Sequence, residues 1–79
     1  MSLRQKLEEA LKEYPDAESV EISEDGKLAT ILSKSFEGVD EAIRQEKVWD
    51  YLRGKLSEDE LYSIEFVFTD TPEEHAEAA

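Results

Sequence analysis

The sequence predicts an α+β domain: a three-stranded sheet with helices packed on one face, in the order α-β-β-α-(α)-β-α. Three observations predict it. Apolar residues recur at helical spacing in two segments and alternate in two others, with a further apolar run between them. Turn and capping signals fall between those segments. The chain has 79 residues, enough for one domain, residues 1–79, and no more.

Leu3, Leu7, Ala10, Leu11 and Tyr14 share one helical face, so residues 2–14 read as the first helix. Ser2 and Gln5 supply a capping box at its start, and Pro15 ends it. Residues 17–23 alternate as a half-buried strand. Asp25-Gly26 signals a hairpin turn, and residues 27–34 return as a second strand. A second helix is expected over about 40–53, with an inner stripe of Ala42, Gln45, Trp49, Leu52 and Leu56 widened by Val48, and Gly54 as its stop. Ser57-Glu58-Asp59-Glu60 is a capping box that opens one short helical turn. Residues 61–69 read as the third strand. Tyr62, Ile64, Phe66 and Phe68 lie on one face, which belongs to the core or to an interface. Val67 falls on the other face, and with Glu65 and Thr69 it lines a second, partly exposed surface. Thr71-Pro72-Glu73-Glu74 then starts a last helix, covering about 70–79 and fraying at its tail. The pairing order of the strands is not readable from these patterns.

Charge narrows the partners. The chain holds 21 acids against 9 bases, a net charge of −12. All nine bases precede residue 56, while eight acids follow it unopposed. Such a surface repels phosphate backbones and anionic membranes, so nucleic acid is an unfavoured partner and no membrane is expected. No apolar run is long enough to span a bilayer, and the first residues lack the apolar stretch of a secretory signal. A cytoplasmic location is the expectation.

The inventory of reactive groups is short. There is no cysteine, which removes disulfides, thiolate nucleophiles and cysteine-held clusters for this chain alone. His75, the single histidine, stands near a terminus and reads as solvated. Glu58, Asp59 and Glu60 lack the alternating ligands and central glycine of a calcium loop. Adjacent helical pairs such as Glu8-Glu9 and Glu73-Glu74 diverge by about 100° and do not converge on a proton. Ser57 and Ser63 have no evident base, and three glycines form no phosphate loop. No catalytic residue, metal site or cofactor is expected.

One set of residues resembles a known family. Phe36-Glu37-Gly38, then Arg44-Gln45, Val48-Trp49 and Leu52, match the spacing of motifs around the central helix of BolA-like proteins. Thr71-Pro72-Glu73-Glu74-His75 is similar to that family's C-terminal ending, and the element order agrees. The resemblance covers residues 2–75. It implies a fold like the class II KH domain and a non-catalytic, regulatory protein-binding role in stress response. The partner it implies is a monothiol glutaredoxin, in iron–sulfur or iron homeostasis. Ser63 stands where the family carries its ligand histidine.

The partner-binding residues expected on this basis are Phe36, Gly38, Arg44, Trp49 and Tyr51. Tyr51 is placed toward solvent beside Arg44 and Lys47, because aromatic side chains with arginine make binding hot spots. The expected state is a monomer or weak dimer. The alternatives are a KH-like nucleic-acid-binding or transcriptional-regulator domain, a small protein without an iron link, and an enzyme.

Overall fold

In the computed structural model, which describes residues 2–78, the chain runs through helix α1 (Leu3–Lys12) and strands β1 (Ala17–Ile22) and β2 (Leu28–Ser33). A single 3₁₀ turn (Lys34–Phe36) leads to helices α2 (Glu41–Arg53) and α3 (Glu58–Ser63). Strand β3 (Phe66–Asp70) and helix α4 (Pro72–Ala78) complete it. The α+β class holds. The sheet is mixed, in the order β1-β2-β3, with β2 antiparallel to β1 and parallel to β3.

Local chemistry sets most boundaries. Ser2 accepts from the Gln5 amide while the Gln5 side chain accepts from the Ser2 amide, closing the box that starts α1. Ser57 and Glu60 repeat the device on α3. The hairpin turns at Asp25-Gly26 as expected, through a four-residue loop. Ser23 and Leu28 pair across the loop, and the Asp25 carboxylate accepts from the Ser23 hydroxyl and the Lys27 amide. Those two donors lower the Asp25 pKa. Gly26 takes a φ of +75°, a conformation that costs an L-residue with a Cβ.

Alternation of side chains assigns the two faces of the sheet. Val20, Ile22, Ala29, Ile31, Val67 and Thr69 point toward α1 and α2. They meet Leu7, Leu11, Val48 and Leu52 in one core, with Phe36 and Tyr14 closing an end. The opposite face is built in cross-strand rows: Leu28 beside Phe66, then Glu21, Thr30 and Phe68, then Ser19, Leu32 and Asp70.

Three expectations need correction here. Residues 61–63 do not start the last strand; α3 runs on to Ser63, because its capping box nucleates a full helix rather than one turn. Within β3 the buried residues are Val67 and Thr69, not the aromatics, so the surface expected around Val67 is core. Phe66 and Phe68 instead face solvent, 40% and 47% exposed. The buried stripe of α2 keeps the expected Val48 and Leu52 but is rotated toward Arg44. It runs through Arg44, Val48 and Leu52, while Ala42 is exposed.

Candidate functional site

The five expected partner-binding residues do not form one exposed surface. Phe36 is 1% exposed, with its ring 5.6 Å from Tyr14 and the Arg44 guanidinium 5.7 Å above it. Arg44 is 6% exposed. Its Nε donates to the Val39 carbonyl at 2.8 Å, and Nη1 donates to the Thr69 carbonyl at 3.0 Å. The guanidinium also grips Glu74 with two bonds, at 2.7 and 3.1 Å.

Tyr51 is half-buried rather than turned to solvent. Its hydroxyl donates to the Ala10 carbonyl at 2.6 Å, and its ring stands edge-on to Tyr14 at 5.1 Å. Burial raises the pKa of both tyrosines. Gly38 is exposed with a φ of +70° and open space where a Cβ would stand. Trp49 is half-buried, and its indole N–H donates to Gln45 Oε1. Phe36, Arg44 and Tyr51 therefore act as scaffold.

Arg44 and Gln45 do one job together. Gln45 Nε2 donates to the Val67 carbonyl at 2.8 Å, and Arg44 donates to the Thr69 carbonyl. These are alternate residues of β3, which has a strand neighbour on one side only. A bare edge strand is a template for unwanted pairing. Here α2 covers it with side-chain donors, and Glu41 accepts from the Thr69 hydroxyl at 3.0 Å. Two carbonyls on the outer edge of β3, those of Val67 and Thr69, are thus already occupied.

The same network latches α4. Thr71 and Glu74 form a capping box, and the Glu74 carboxylate also receives Arg44. The Arg44 bonds, with the Thr71 amide behind them, hold the Glu74 carboxyl at about 2. Glu60 is likewise lowered to about 2, by Lys6 at 2.8 Å and by the Ser57 amide. Both shifts belong to structural pairs. His75 is exposed on α4, and the Ser63 hydroxyl donates to the Asp59 carbonyl within α3. Among the described residues, no three metal-capable side chains come together.

Two surfaces among the described residues carry exposed aromatic side chains. One is an open groove of about 480 Å³ between α2 and α3, walled by Trp49, Arg53, Leu56 and Tyr62. Tyr62 is 87% exposed beside it. The other is the outer sheet face. Phe66 and Phe68 pack edge-on there with centroids 4.8 Å apart, beside Leu28, which is 40% exposed. The alternation of residues 62–68 signalled this face, but an aromatic stripe reads equally as core. Leu28 carried no signal of its own. No helix among the described residues is long and apolar enough to cross a membrane. Compared with models of protein families, with curated proteins and with solved structures, the chain finds no match.

Proposed function

We propose that this chain is a non-catalytic binding module that acts by docking on another protein. The observation that carries the reading is the contiguous Leu28–Phe66–Phe68 surface. Single exposed apolar side chains are ordinary, but a cluster with two aromatic rings has the composition of an interface centre. The polar chemistry supports the same reading. Arg44, Gln45, Glu41 and Glu74 are the groups that converge, and they are committed to backbone carbonyls and to each other. A carboxyl held at about 2 is poorly matched to proton transfer near neutrality. A cytoplasmic setting goes with this reading, since a chain without cysteine gains no disulfide from an oxidising compartment.

The partner implied by the BolA resemblance gives a concrete test. The chain is mixed with a monothiol glutaredoxin, iron and sulfide, and followed by light scattering and visible absorption. A colourless one-to-one complex is the expected result. At the family's histidine position this chain offers Ser63, a hydroxyl already bonded to the Asp59 carbonyl and a weaker iron ligand than imidazole. Turnover of ester or phosphate substrates, abolished by replacing a single side chain, would overturn the non-catalytic reading.

A further inference from the structure

We infer that the outer sheet face is the docking surface and that its partner is a cationic amphipathic polypeptide segment. The inference deepens the docking reading and rests on it. The face has an apolar centre made by Leu28, Phe66 and Phe68. Its register rows contain two charged residues, Glu21 and Asp70, and both are acids. No lysine or arginine occupies any of those rows. The whole chain adds a field of net −12.

A second copy of the chain is a poor occupant for two reasons. Three side chains left about two-fifths uncovered expose on the order of 200–300 Å² together, against about 800 Å² per partner in a stable interface. Enlarging the contact would press two surfaces of like charge together. A strand added along β3 is also disfavoured, because Gln45 and Arg44 already occupy the Val67 and Thr69 carbonyls of that edge. What fits is a segment laid across the face. It would place apolar side chains over the two rings and lysine or arginine toward Glu21 and Asp70. Complementary charge would raise its association rate and make its affinity fall with salt.

The test uses the full chain, labelled with ¹⁵N, and two synthetic helix-forming peptides, one of leucine and lysine and one of leucine and glutamate. The lysine peptide is expected to give saturable amide shifts over Leu28–Leu32 and Phe66–Asp70. Its dissociation constant should rise about tenfold or more with Phe68→Ser, the loss typical of an aromatic anchor. Leu28→Ser should weaken it in the same direction, and Glu58→Gln, on α3, should leave it unchanged. Circular dichroism establishes that each variant is folded. Shifts confined to Trp49, Arg53 and Tyr62 would overturn the choice of face while leaving a docking module intact. Equal binding of the glutamate peptide, or self-association of the free chain through the same amides, would overturn the cationic partner. The absence of any shift would overturn the inference alone, because the docking reading is decided separately by complex formation with the glutaredoxin.

Discussion

An arginine that is 6% exposed in a domain of this size needs a structural reason, and Arg44 has one in each of its bonds. Replacing it with methionine keeps the packing against Phe36 but leaves the Val39 and Thr69 carbonyls without this donor and the Glu74 carboxylate with the Thr71 amide alone of those partners. Because Glu74 is half exposed, the cost is set below that of a wholly buried ion pair. Arg44→Met is expected to destabilise the fold by about 2–4 kcal/mol, read from urea unfolding. Arg44→Lys is expected to recover little, since one ammonium cannot bridge both carbonyls and grip a carboxylate with two bonds. Tyr51→Phe removes one hydrogen bond to the last turn of α1, with an expected loss of about 1 kcal/mol in the same assay. Glu74 gives the pH dependence. Its folded pKa lies at about 2, below the ordinary 4.5, so its contribution is complete above about 4.5 and is lost as pH falls toward 2. Glu74→Gln is expected to lower stability at neutral pH and to flatten the acid loss between those values. Glu60 titrates in the same window and leaves a residual slope in that variant. An unchanged slope would remove Glu74 as a source of the pH dependence.

Between elements, α2 has two tasks: it fills the core with Val48 and Leu52, and it closes the free edge of β3 with Arg44 and Gln45. Gln45 also accepts from the indole of Trp49, so a single side chain joins a strand edge to the wall of the α2–α3 groove. Gln45→Ala is expected to destabilise by about 1–2 kcal/mol and to promote aggregation on concentration, because the Val67 carbonyl becomes available to another strand. Light scattering against concentration checks it. These double roles explain what could be read from the chain. The caps at Ser2, Ser57 and Thr71 and the turn at Asp25-Gly26 are local hydrogen-bond chemistry, and each lies where the residues placed it. The stripe of α2 holds at Val48, Leu52 and Leu56 but misses Arg44, because counting apolar residues cannot register a buried arginine. The face of β3 was ambiguous because an alternating strand specifies that one side is buried, not which side. Here Val67 and Thr69 are buried under α2, and the larger rings are left outside. The scaffold residues Phe36, Arg44 and Tyr51 drew attention because aromatic and arginine chemistry serves interiors as well as interfaces.

At the scale of the whole molecule, 21 acids and 9 bases fold into a body with a radius of gyration of 11.9 Å. The described ion pairs are mostly exposed, such as Lys12 with Glu8 and Lys34 with Glu18, both at 3.6 Å. Exposed pairs contribute about 0–1 kcal/mol each, and salt weakens them. Salt also screens the repulsion among the surplus acids, so the two effects oppose one another. The surplus decides the sign, because acids outnumber bases by more than two to one and the last 24 residues carry acids alone. The melting temperature is therefore expected to rise between about 0.01 and 1 M sodium chloride, as the screening length contracts from roughly 30 to 3 Å. Peptide binding at the sheet face should weaken over the same range, because there the interacting charges are of opposite sign. Calorimetry and the peptide titration, run in the same buffers, test the two trends together. A melting temperature that fell with salt would mean that the ion pairs, Lys6–Glu60 and Arg44–Glu74 foremost, outweigh the repulsion of the acids left unpaired.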